Sequence, residues 1–255
     1  MHYPHNLSEE GQRRLDAIHR QVDAEPRLVH RTDAVRMELN DGRIRVRGEV
    51  EDVSIKRLLE RSLGRAAGAD GLDARIRVTP PQTMDDKEIR RRLLDELVSE
   101  AAFSACGIAQ HEAGRWQWLR EPPQEPRAEL RVAVEDGVVC LEGRVGDPSQ
   151  RRLAEVMAWW VSGTRDVDNR IESRSQPVGD DGELLDVIRL AFEKNPWLDS
   201  ADIRPRAEAG VVTLEGTVHS ESDRDVAERD VWCTPGIRDV ENALRVAPAG
   251  RGRSA

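Results

Sequence analysis

Arginine suits a phosphate-binding surface because its planar guanidinium stays charged and offers paired N–H donors to two oxygens at once. Six arginines stand in the first third of this sequence at positions that can share a surface: Arg36, Arg43, Arg45, Arg47, Arg75 and Arg77. Residues two apart on an extended chain point to the same side. Counting by two places all six opposite the apolar Val35, Met37, Ile44, Val46, Ile76 and Val78. Glu38 and Glu49 fall on the arginine side. The spacing fits an anion-binding plate for the phosphate of a phospholipid or another anionic ligand. It also fits a cross-strand charge ladder, solvated or docked against the acidic remainder of the chain.

A second group lies in CGIAQHEAGRWQWLREPPQEP, where Trp116, Trp118 and Leu119 precede Pro122, Pro123 and Pro126. Tryptophan joins a large apolar body to a polar N–H, which suits a membrane interface or a partner's pocket. The alternative is a flap packed on a neighbouring unit.

Other chemistries lack their residues. The GxxxxxG phrases at 137–143 and 210–216 are not followed by Lys-Ser/Thr, and Val and Leu between the glycines are strand residues rather than a phosphate cradle. The six histidines form no HxxxH pair, and Cys106, Cys140 and Cys233 form no CxxC. No GxSxG elbow is present. These patterns predict no catalytic residue, no metal and no cofactor.

Bulk properties bound the class. The chain has 255 residues and a net charge of -9, which disfavours nucleic acid as a partner. Charge is uneven: residues 1–80 carry 15 basic against 14 acidic side chains, residues 81–176 carry 14 against 18, and residues 177–255 carry 10 against 16. Mean hydropathy is -0.63, and no run approaches the roughly 18–20 apolar residues of a membrane-spanning helix. The start, MHYPHNLSEEGQRR, has no apolar h-region. A cytoplasmic chain is expected, at most peripheral at a membrane.

The elements that must position these residues follow from a repeat. GVVTLEG at 210–216 nearly duplicates GVVCLEG at 137–143, and GRIRVRG at 42–48 is a degraded third copy. Gly68, Gly163 and Gly236 each follow the second glycine by twenty residues, and Ala74, Asn169 and Asn242 come six later. Each copy reads helix, strand, strand, helix, strand. In the third, Leu184, Ile188 and Phe192 recur at helical spacing, and Val212, Leu214 and Val218 alternate with polar residues. Alternation in every strand means a sheet buried on one face. The expected fold is therefore α+β: three tandem two-layer α/β sandwiches, each a mixed sheet with both helices on one face. The expected boundaries are 8–80, 84–174, 180–247 and a flexible tail at 248–255. The middle copy holds about twenty extra residues, near 105–127, because Leu93 to Gly137 spans 44 residues where Ile18 to Gly42 spans 24.

Gly210, Val212, Leu214, Gly216, Val218, Ala227, Pro235–Gly236, Val240, Asn242, Leu244 and Val246 make the third copy resemble a BON domain, the bacterial osmotic-shock and nodulation module. The resemblance extends to 127–172 and, more weakly, to the first copy, where Ala74 replaces Asn and arginines crowd the strand. It implies a non-enzymatic protein of osmotic stress or envelope physiology in contact with phospholipid. One cytoplasmic relative with a potassium-binding role adds a small-ligand or monovalent-cation sensor as an alternative. A scaffold for a protein partner is a third.

Overall fold

The computed structural model describes residues 9–40, 43–67, 72–123, 128–174, 181–195 and 198–247. Trp197 and the expected tail at 248–255 lie outside the described residues. The chain divides into two compact units, Met1–Thr83 and Met84–Ala255.

The first unit runs α1 (Glu9–Asp23), β1 (Arg36–Asn40), β2 (Arg43–Val50), α2 (Val53–Ala67) and β3 (Leu72–Val78). Its sheet is ordered β1-β2-β3, with β2 antiparallel to β1 and parallel to β3. The second unit contains the same succession twice. The first time it is α3 (Asp86–Ser99), β6 (Glu129–Glu135), β7 (Val138–Val145), α4 (Pro148–Trp160) and β8 (Asp166–Ser173). The second time it is α5 (Asp181–Lys194), β9 (Ile203–Glu208), β10 (Val211–Val218), α6 (Glu221–Cys233) and β11 (Asp239–Val246). This is the α+β architecture expected from the sequence, with one amendment. The extra residues of the middle copy form a hairpin, β4 (Gly107–Glu112) and β5 (Arg115–Arg120), rather than a loop. β4 pairs parallel with β6, so that sheet has five strands in the order β5-β4-β6-β7-β8.

Alternation does what the pattern requires. Met37, Ile44, Val46 and Ile76 are buried in the first unit beneath Leu15, Ile18, Leu58, Leu59 and Leu63. Val132, Val139, Leu141 and Ile171 are buried under Ile89, Leu93, Leu97 and Leu153 in the second. Helix starts are capped: Ser220 Oγ accepts from Asp223 N at 3.1 Å, and Asp147 builds a capping box with Gln150.

The repeated glycines are structural. Asp136–Gly137 and Ala209–Gly210 have positive φ at both positions, the two-residue turn that matches strand twist. Asp86 accepts from Asp136 N and Gly137 N at 2.9 and 2.8 Å, and Asp181 accepts from Ala209 N and Gly210 N at 2.7 and 2.9 Å. In the second unit the first helix of each copy thereby grips its own hairpin. At the second glycine, a Cβ would strike the carbonyl of Ala34 at Gly48, of Glu129 at Gly143 and of Asp202 at Gly216.

Asn169 and Asn242 lock strand to helix. Asn169 Nδ2 donates to Arg151 O and Glu155 Oε2, each at 3.0 Å, and Asn242 Nδ2 donates to Arg224 O and Glu228 Oε2 at 3.1 and 3.0 Å. Ala74 has no amide for this role. Lys56, 5 % exposed, supplies the link instead, donating to Glu60 Oε1 and Ile76 O, both at 2.7 Å.

Candidate anion-binding site

Register decides which arginines meet. Arg36 pairs with Arg47 across β1 and β2, and Arg47 pairs with Arg75 across β2 and β3. Three like charges therefore stand side by side on the face away from the helices, and all three are exposed. Neighbouring strands are about 4.8 Å apart, and like charges directly opposite one another destabilise a sheet.

The next row toward the hairpin turn is Glu38, Arg45 and Asp73. Here Arg45 Nε lies 3.4 Å from Asp73, whose other oxygen is 3.5 Å from Arg75 Nε. On the opposite side Arg77 stands across from Glu49, which accepts from Thr79 Oγ1 at 3.1 Å. Arg43 is exposed at the turn end of β2. Of the six arginines expected to form a plate, three form an uninterrupted row. Arg45 and Arg75 share the carboxylate of Asp73, Arg77 shares its row with an acid, and Arg43 stands apart.

The other two copies show what this row replaces. The corresponding residues are Arg131, Glu142 and Arg170 in the middle copy, and Arg204, Glu215 and Ala243 in the last. Glu142 lies 3.5 Å from Arg170, and Glu215 lies 3.3 Å from Arg206 of the adjacent row. A glutamate sits at the centre of each, where the first copy has Arg47. The signal is visible in the sequence, since LEG in two copies becomes VRG in the third.

Trp116 and Trp118 lie on β5, the edge of the five-stranded sheet, rather than on a loop. They pair with His111 and Ala109 on β4. Trp118, Ala109, Arg131, Glu142 and Arg170 continue as one row across the outer face. The Trp116 ring is 5.2 Å from that of His111, and Arg131 Cζ is 5.8 Å from its centroid. Arg120 anchors the strand by donating to Cys106 O at 2.8 Å and Phe103 O at 2.5 Å. Leu119 is 51 % exposed, and Val98 and Trp116 are each 39 % exposed.

Two further polar groups bear on the chemistry, and of these Asp230 escaped the sequence pattern. Asp230, 1 % exposed, accepts from Trp160 Nε1 at 3.1 Å and from Asn195 Nδ2 at 2.6 Å, joining the two copies of the second unit. Burial pushes its carboxyl above the usual carboxylate range. Cys140 is half-buried on the outer face, and burial with Glu142 beside it pushes its thiol up to about 11, so it is no thiolate nucleophile at neutral pH. Among the described residues no cluster of His, Cys, Asp or Glu could hold a metal ion, and no helix is long and apolar enough to cross a membrane.

This geometry can be set beside known proteins. Residues 119–175 and 180–248 match the BON domain family. Both matches fall within the second unit; the first begins near the end of β5 and so leaves out α3 and β4, and the first copy resembles these two in topology. Osmotically-inducible protein Y of Escherichia coli (strain K12) is 26% identical over 123 residues, covering 46% of this chain and 61% of that protein. The chain thus spans less than two thirds of that relative's length. Among solved structures, the C-terminal domain of CdsD, the structural protein of the type III secretion system of Chlamydia trachomatis, aligns at 14% identity with a TM-score of 0.24. That alignment covers 92% of this chain and 97% of CdsD. The PrgH periplasmic domain aligns at 10% identity with a TM-score of 0.23, covering 85% of this chain and 96% of that one. Nothing about this chain follows from overlaps so poor.

Proposed function

We propose that this is a non-catalytic binding protein of osmotic-stress or envelope physiology that holds an anionic phospholipid surface through the outer face of its first sheet. The observation that carries the reading is the Arg36–Arg47–Arg75 row. Three adjacent positive charges cost stability when alone and are relieved by an anion bound across them. The two BON matches and the osmotically inducible relative supply the physiological setting.

Co-sedimentation tests it. The full chain should pellet with phosphatidylcholine vesicles containing phosphatidylglycerol and stay in solution with phosphatidylcholine alone. Binding should fade as salt rises, since exposed charges are screened beyond about 10 Å at 0.1 M ionic strength. Unchanged pelleting of an Arg36→Ser, Arg47→Ser, Arg75→Ser variant would remove the row from the account.

A second reading, a scaffold for a protein partner, is favoured by the β5 edge, where Trp116 and Leu119 are exposed, and by Val98 of α3, exposed and bonded through its carbonyl to Arg120 of β5. Tryptophan emission separates the two: a partner seated there blue-shifts Trp116 even at high salt.

A further inference from the structure

The arginine row is narrower than the surface it serves. Its three stems span about 10 Å across the strands, and the next row on the same face lies about 7 Å away along them. Those neighbouring rows carry acids: Glu38 and Asp73 flank Arg45 on one side, and Glu49 faces Arg77 on the other. The all-arginine row is therefore backed on both sides by rows that carry carboxylates, with Arg43 standing beyond one of them at the turn end of β2.

We infer that this strip selects a phosphomonoester headgroup, as in phosphatidic acid, over phosphodiester headgroups presented at the same total surface charge. The inference rests on the anionic-surface reading above. A phosphodiester headgroup carries one charge on two terminal oxygens. A carpet of such groups spreads negative charge evenly, and part of it falls over Glu38, Asp73 and Glu49, where it is repelled. A phosphomonoester concentrates a charge of about -1.5 to -2 and three acceptor oxygens on one phosphorus. Three guanidiniums on long, flexible stems can close on those three oxygens. The same total charge delivered at one point gains the whole row and avoids the acidic rows beside it.

Arg47 is the discriminating position. Arg47→Glu recreates the central glutamate that the other copies already carry as Glu142 and Glu215, so the variant is compatible with the fold.

The test uses the full chain and phosphatidylcholine vesicles doped with phosphatidic acid, or with phosphatidylglycerol at the fraction giving an equal zeta potential. Affinity for phosphatidic acid should exceed that for phosphatidylglycerol by about tenfold, and Arg47→Glu should erase the difference. Equal binding to both vesicles overturns the selectivity and leaves the anionic-surface reading standing. Binding to neither overturns both. A preference that survives in Arg47→Glu overturns the assignment to this row. A melting shift by inorganic phosphate that Arg47→Glu removes, without binding to any vesicle, makes free phosphate the ligand and overturns the lipid-borne source.

Discussion

Asp230 takes its charge out of water between two donors, Trp160 Nε1 and Asn195 Nδ2, neither of which is ionic. Its carboxyl pKa is raised by burial, so the folded chain holds a proton there more readily than the unfolded chain does. The sign follows: this residue's contribution to stability is greatest below the ordinary aspartate value of about 4 and is lost as pH rises through the raised value. Asp230→Asn should flatten that part of the profile. Its amide oxygen still accepts from Trp160, and Asn195 can turn over to present an oxygen of its own. Melting temperature of wild type minus variant, followed from pH 4 to 7, should show the decline. Asp230→Leu removes the acceptor that both donors share and should cost about 1–3 kcal/mol in all, read from urea midpoints. Arg47→Glu works in the opposite direction. Replacing the centre of a like-charged row with its complement should raise stability by about 0.2–1 kcal/mol, screened by salt because the pairs are exposed.

At the scale of elements, the exchange of Asn for Lys56 carries a prediction. Asn169 and Asn242 tie strand to helix through Glu155 and Glu228, and in the first copy Lys56 reaches Glu60 and Ile76 O from the helix side. Lys56→Ala leaves a buried carbonyl without its donor and should cost about 1–3 kcal/mol. Ala74→Asn in that background should recover much of the loss, and a double-mutant cycle measures the coupling. The elements themselves were largely legible in the sequence: helical and strand periodicity in Ile188–Phe192 and Val212–Val218 is local and survives in every copy. The hairpin was not. Its existence showed only as a surplus of residues before Gly137, because the β4–β6 pairing is parallel and non-local, and no short pattern encodes such a partner. The site was legible in part. Period-two counting put the arginines on one face, but only cross-strand register separates the all-arginine Arg36–Arg47–Arg75 row from the mixed row of Glu38, Arg45 and Asp73. Asp230 and Lys56 stayed hidden because each is explained by partners on other elements.

At the scale of the whole molecule, polar ties bind the two copies of the second unit to each other. Within Met84–Ala255, Arg152 Nη1 lies 2.9 Å from Glu183 Oε1 and Lys194 Nζ lies 2.5 Å from Glu100 Oε2. Together with the Trp160–Asp230 bond, these ties cross between its two copies. That unit should melt in one calorimetric transition. Substituting Asp230→Leu and Arg152→Leu together should broaden or split it, whereas Arg47→Glu should leave it in place. The grip of each leading helix on its hairpin also sets an order in time. Asp181 reaches a turn 28 and 29 residues ahead, while Asp86 must close over 50 and 51, the hairpin insertion having lengthened the path. Loop closure costs about 0.6 kcal/mol for each doubling of length, so the longer loop closes roughly twofold more slowly. The copy that begins at α5 should thus close sooner than the one that begins at α3, and α5 offers the surface on which Arg152 of α4 meets Glu183.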